Sequence, residues 1–303
     1  MGSSRFGSLL SETESTRSLR GLTGDSQAWV FNPSVPSGDA LTSERTLLEM
    51  LRRGVKPRYA LIEMCPPSIH ANNPWAAQYM ERQMMWWELP DHVLEIAREG
   101  QLVRMAQFRL VPLYGYRVNI CNAVETAVAH WFHPEPAHLV GAPGAVASPT
   151  PVNALDWKKI IPQGPPDCDH MAASRRGAPY LERVMRNYRP GGTLVAGLER
   201  IVGLCRENGI EPILLQPPVT SAFRECIKPE METVYRDFVA QFCQKHACLF
   251  IDYYTAMPDD MFLDYHHANE AGSALFSRRV AEELLAPLLL GRRPSQKSLT
   301  TGY

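Results

Sequence analysis

The sequence predicts an α/β fold on a mostly parallel sheet. Short, uniformly apolar runs read as strands covered on both faces, amphipathic helical patterns alternate with them, and glycines stand where helices should stop. The runs are Ala28–Phe31, Tyr59–Met64, Pro212–Leu215 and Leu249–Ile251, each bounded by turn or polar residues. Between them Leu41–Arg53 carries Leu47, Leu48 and Leu51 on one side and stops at Gly54. Thr193–Asn208 aligns Leu194, Leu198, Ile201, Val202 and Leu204 and stops at Gly209. Pro229–His246 and Asn269–Leu288 repeat the pattern with Met231, Val234, Tyr235, Phe238 and Phe242, and with Leu275, Phe276, Val280 and Leu284. Strand, helix and strand in repeated order give right-handed crossovers.

One stretch breaks the alternation. Roughly 150 residues separate the second and third strands, where a crossover needs about a dozen or more. Asn73–Glu99, with Trp86, Trp87 and Pro90, and Gln101–Phe132 read as helical. Phe132–Pro166 is rich in Pro, Ala and Gly and reads as irregular, so the region is a helical insertion. The polar residues Gly291–Tyr303 form a tail.

Composition narrows the function classes. The 303 residues are 45% hydrophobic and 21% charged, as in globular domains, with 31 Lys+Arg against 32 Asp+Glu and a net charge of −1. A nucleic-acid binder usually carries a basic surplus, and none is present. No run approaches the ~20 apolar residues of a membrane helix, and no apolar leader precedes a cleavage site. Seven scattered cysteines without CxxC spacing read as buried thiols; Cys243, His246 and Cys248 make only a weak metal pattern.

The strongest chemical signal is Asp259-Asp260-Met261-Phe262-Leu263-Asp264-Tyr265-His266-His267-Ala268-Asn269-Glu270-Ala271-Gly272. A carboxylate three residues before a histidine, just ahead of a helix, lets one loop hold both side chains. Asp264 then fixes the tautomer of His267 and leaves the other ring nitrogen to take a proton from a nucleophile. On residues alone the alternative stays open that His267 caps the helix and Asp264 is a turn residue. His266 could replace His267 as base, and Asp252, Asp259 or Asp260 could replace Asp264. At the other end, Met1-Gly2-Ser3-Ser4-Arg5-Phe6 offers serine hydroxyls that carry no weight alone, because termini fray. Trp75, Trp86 and Trp87 read as core packing or pocket lining. His70, His130, His133, His138 and His170 show no metal spacing, and the Arg175-Arg176 and Arg292-Arg293 pairs are too short for a nucleic-acid patch.

Taken together, the two ends resemble the SGNH/GDSL serine hydrolase superfamily, in particular its polysaccharide O-acetyltransferase-like and teichoic-acid D-alanylation-like branch. There a Gly-Ser-Ser motif ends the first strand and a Phe-x-Asp-x-x-His-x-Asn-x-x-Gly stretch precedes the last helix. The matching positions are Gly2-Ser3-Ser4, Phe262, Asp264, His267, Asn269 and Gly272. Val30-Phe31-Asn32 leading to Gly38, Gly54-Val55-Lys56-Pro57, Cys65-Pro66-Pro67 and Leu214-Leu215-Gln216-Pro217-Pro218 add to the likeness.

The resemblance implies a three-layer α/β/α sandwich of flavodoxin-like type, a single domain over 1–290 with an insertion at about 68–190 and a tail over 291–303. It implies a serine esterase or O-acyltransferase, with Ser4 as nucleophile, His267 as base, Asp264 as its orienter, and the amides of Ser4 and Gly38 as oxyanion donors. The alternative is an inactive relative that binds a glycan or a partner. At the third donor position stand Pro66 and Pro67, which have no N–H, while Asn72 and Asn73 follow closely. No cofactor or metal is implied, and the expected partner is a small-molecule or carbohydrate ester. The resembling fold also has a central strand before its nucleophile. The natural product is therefore expected to extend upstream of Met1 through an apolar strand preceded by an anchor. The chain as it stands reads as cytoplasmic, and as extracytoplasmic with that anchor.

Overall fold

The computed structural model describes residues 1–73, 76, 84–111, 120–121, 123–124 and 170–294. It divides into two compact units, one formed by Met1–Ala76 with Ala154–Tyr303 and the other by Ala77–Asn153. The first holds an open parallel sheet in the order β1 (Tyr59–Glu63), β2 (Glu211–Gln216) and β3 (Leu249–Asp252). Tyr59 pairs with Glu211 and Glu63 with Leu215, while Ile213 pairs with Leu249 and Gln216 with Asp252. Three of the expected strands therefore form within a residue or two of their predicted limits. The outer edge of β1 is met by the opening residues. Met1 N donates to Leu61 O at 2.6 Å and Glu63 N donates to Met1 O at 3.0 Å, the pattern of a parallel ladder.

Alternate strand residues feed two apolar clusters, which explains why the strands read as continuous apolar runs. Ile213, Leu215 and Ile251 join Phe6, Leu9, Tyr253, Phe262 and Phe276 in one. Ala60, Ile62 and Leu214 join Leu47, Leu198, Ile201, Tyr235 and Val239 in the other. The helices of this unit are α1 (Ser4–Leu9), α2 (Glu12–Thr23) and α3 (Ala40–Arg52), then α6 (His170–Val184), α7 (Gly192–Glu207), α8 (Ser221–Glu225), α9 (Pro229–His246) and α10 (Glu270–Val280). A π turn over Ala281–Leu285 and a last helical turn over Ala286–Leu289 extend α10, so the predicted closing helix is present with a widened turn inside it. In the second unit, α4 (Leu89–Arg98) and α5 (Leu102–Leu110) lie within the stretches read as helical.

Ala28–Phe31, expected as a strand, is not one. Side chains of α2 take up its backbone: Arg20 Nε donates to Ala28 O at 2.7 Å and Val30 N donates to Thr16 Oγ1 at 2.9 Å. Trp86 and Trp87, read as core packing or pocket lining, are not core residues: they are 61% and 47% exposed, and the Arg109 guanidinium lies 4.9 Å above the Trp86 ring. Trp75, His130, His133, His138, Cys168, the stretch 132–166 and residues 295–303 of the tail lie outside the described residues, as do the side chains of His170, Arg175 and Arg176. Among the described residues no helix is long and apolar enough to cross a membrane.

The entry to α3 shows how local chemistry sets a boundary. Asp39 is its N-cap, its Oδ1 accepting from Thr42 N at 3.0 Å and Thr42 Oγ1 at 2.9 Å. Burial outweighs these bonds and raises the Asp39 carboxyl above the usual aspartate range. A raised acid favours the protonated folded state, so ionisation costs stability as pH rises above that range. Removing the cap in D39A should lower stability by about 1 kcal/mol. D39N keeps the acceptor and drops the buried charge, so it should melt at or above the wild type at pH 7. Thermal melts of both variants check this.

Candidate active site

Ser4 is the first residue of α1, and Ser3 caps that helix by accepting the Arg5 N–H at 3.2 Å. First-turn amides of a helix have no intrahelical acceptor, which leaves the Ser4 N–H outside the α1 ladder. The Ser4 hydroxyl lies 2.8 Å from His267 Nε2, and His267 Nδ1 lies 2.7 Å from Asp264 Oδ2. Asp264 Oδ1 accepts the His266 N–H at 2.9 Å and the His267 N–H at 2.8 Å. Burial opposes the charge on Asp264. The bond from the His267 ring and the neighbouring imidazoles nonetheless hold its carboxyl well below the usual range. An ionised Asp264 only accepts, so Nδ1 carries a proton, and in the neutral imidazole Nε2 is then the nitrogen whose lone pair meets the Ser4 hydroxyl.

The rest of the C-terminal motif supports this pair. Phe262 is fully buried in the core, and Leu263 N donates to His267 O at 2.8 Å, closing the loop that holds Asp264. Asn269 caps α10 through Gly272 N at 2.9 Å, and its Nδ2 reaches back to Asp260 O at 2.8 Å. At Gly272 an added Cβ would sit 2.2 Å from Met261 O, so only glycine lets the helix start this close to the loop. Ser8 of α1 accepts the Ala268 N–H at 3.1 Å and ties the loop to the helix of the serine.

The other candidates stand elsewhere. His266 is buried among Tyr265, Phe223 and His267, with Tyr265 edge-on at 4.1 Å. Burial, then His267 and Arg5, push its pKa well down, and its Nδ1 has no partner among the described residues. Asp252 accepts from Tyr254 N, Asp259 receives Ser221 N and Oγ, and the Asp260 backbone receives Asn269. Gly38 lies against the Gly2 backbone, where an added Cβ would meet Gly2 O at 2.5 Å. Its N–H does not serve as the free donor expected, because a tight turn commits it to Val35 O at 3.0 Å. Asn73 Nδ2 donates to Pro67 O at 2.7 Å, and Asn72 is exposed.

No family model matches the chain, and neither a curated protein nor a solved structure matches it. The reading of the site therefore rests on its own geometry.

Asp264, His266 and His267 are the described residues whose ligand atoms cluster tightly enough for a metal, all within 4.8 Å. Both ring nitrogens of His267 already face hydrogen-bond partners, so the donor set fits proton transfer better than coordination. Cys243 and Cys248 bring their sulfurs to 3.6 Å, with His246 directed to Glu199 instead, so the weak metal pattern there does not close.

Sequence reasoning missed Glu63 and Arg5, a buried pair 3.2 Å apart directly beneath the serine turn. An Arg one residue after the Gly-Ser-Ser motif, and a Glu inside an otherwise apolar strand, were the available signals. A methyl group at Gly272 should push the loop away from Ser4. G272A should cost about 1–3 kcal/mol of stability as an overpacked site. It should also slow serine labelling by a fluorophosphonate in the fraction that remains folded, as melts and labelling time courses would show.

Proposed function

We propose that this protein is a serine esterase or O-acyltransferase of the SGNH/GDSL type, acting on an ester of a carbohydrate or small molecule. Its sheet and helices would then be the three-layer α/β/α sandwich of that superfamily. The observation that carries the reading is the chain of contacts Ser4 Oγ–His267 Nε2 and His267 Nδ1–Asp264 Oδ2, at 2.8 and 2.7 Å. A serine, an imidazole and a carboxylate in this order are the parts of an activated hydroxyl.

In the proposed reaction Ser4 Oγ attacks the ester carbonyl carbon while its proton passes to His267 Nε2. The resulting imidazolium is stabilised by ionised Asp264. The Ser4 N–H at the start of α1 faces the developing oxyanion; one such donor is worth about 3 kcal/mol in well-studied enzymes. The intermediate collapses as the bond to the leaving oxygen breaks and His267 returns the proton to that oxygen, leaving acyl-Ser4. Water or a sugar hydroxyl then attacks the acyl carbon and gives its proton to His267. The bond from the acyl carbon to Ser4 Oγ breaks as His267 returns that proton to Oγ, releasing the acid or the acylated sugar and restoring the serine.

A second reading, an inactive relative that binds a glycan or partner in the same crevice, is favoured by one observation. The Gly38 N–H is committed to Val35 and Pro66-Pro67 offer none, which leaves Ser4 as the one identified backbone donor among the described residues. A fluorophosphonate probe separates the two, because only an activated serine reacts. Labelling should fall on Ser4 and disappear in S4A. It should drop by about 10⁴-fold in D264N and by about 10⁶-fold in H267A, as in other triads. H266A should melt lower, through loss of buried packing, yet still label when folded. A folded wild type that takes no label would defeat the catalytic reading.

A further inference from the structure

Ser4 does not hold its own position. The residues on either side of it are gripped by one carboxylate. Glu63 is the last residue of β1, fixed by pairing with Leu215 on one side and by its N–H to Met1 O on the other. Its Oε2 accepts the Ser3 N–H at 2.6 Å, and its Oε1 accepts the Ser3 hydroxyl at 3.1 Å and the Arg5 guanidinium at 3.2 Å. The same Arg5 nitrogen donates to Cys65 Sγ at 2.8 Å, and the guanidinium lies 5.0 Å over the Phe223 ring. The side chains of Glu63 and Arg5 are 4% and 6% exposed. Gly2 belongs to the same device: an added Cβ there would lie 2.4 Å from Glu63 Oε2 and 2.6 Å from Glu63 Cβ.

We infer that Glu63, with Arg5 as its counter-ion, is a positioning residue for Ser4, clamping the backbone before and after it so that the hydroxyl meets His267. The inference rests on the catalytic reading proposed above. Glu63 touches no reacting atom and acts through Ser3 and Arg5. Stability alone is a poor reason for the pair, because a buried ion pair often contributes nothing net over an apolar pair of the same volume. Charge-assisted bonds to one fixed carboxylate do supply geometry. Geometry matters here because a displacement of about 1 Å in a reacting group costs around a hundredfold in rate.

The test separates position from stability by removing both charges at once. In the E63Q/R5M double variant the side-chain amide carbonyl introduced at position 63 can still accept the Ser3 N–H, while the clamp on residue 5 is gone and the two opposite charges of the pair leave together. Wild type, E63Q and the double variant are compared by thermal melting, by the rate of fluorophosphonate labelling, and by the ¹⁵N shifts of the His267 ring. The double variant should melt within a few degrees of the wild type, yet label about tenfold to a hundredfold more slowly. Its His267 Nε2 resonance should move as the Ser4 hydrogen bond weakens. With hydrolysable esters the loss should fall on kcat and leave KM within about twofold, as expected when only the transition state is affected. A folded double variant that labels at the wild-type rate with an unchanged Nε2 shift would overturn the inference. A wild type that takes no label would count against the catalytic reading alone. The ring shifts would still show whether Glu63 places Ser4 against His267.

Discussion

The parallel register of β1, β2 and β3 is the constraint on which the site depends. Parallel strands end together, so the chain leaving β3 and the chain running beside β1 arrive at one edge of the sheet. Met1 enters that ladder alongside β1, and Ser4 begins α1 where β1 is ending. The return from β3 brings His267 to the same edge, and side chains 263 positions apart in the sequence meet at 2.8 Å. The two apolar clusters, fed by alternate residues of the same strands, hold that edge in place from either face.

Around this edge, neighbouring residues divide the work of holding Ser4, His267 and Asp264 together. Gly272 and Asn269 set the distance between the loop and α10, Phe262 anchors the loop in the core, and Ser8 fastens it to α1. On the serine side, Gly2 makes room for the Glu63 carboxylate, and Glu63 holds Ser3 and Arg5. The motif residues flanking Ser4 and His267 thus have steric or hydrogen-bonding reasons of their own, independent of any reaction.

What could be read from the sequence follows from the range of the forces involved. The helices over Leu41–Arg53, Thr193–Asn208 and Pro229–His246 were legible because each carries a periodic apolar stripe, and the first two stop at Gly54 and Gly209. Asp264 and His267 were legible because they lie in one short loop. α2 was missed: its inward residues are Ser15 and Leu19, which leave almost no apolar period to read. Ala28–Phe31 looked like a strand because it is apolar. A strand also needs a neighbouring strand, and this segment finds the side chains of Arg20 and Thr16 in its place. Gly38 was read as a free donor because a sequence does not show that Val35 lies within reach of its N–H. The Glu63–Arg5 contact spans 58 positions and left no local trace beyond a charge in an apolar run.

The six-residue helix α1 carries Ser4 at its first position and, one turn later, Ser8, whose hydroxyl receives the amide next to His267. The element that presents the hydroxyl thus also grips the backbone that carries the imidazole, so a change at Ser8 would reach both ends of the Ser4–His267 contact through a single side chain.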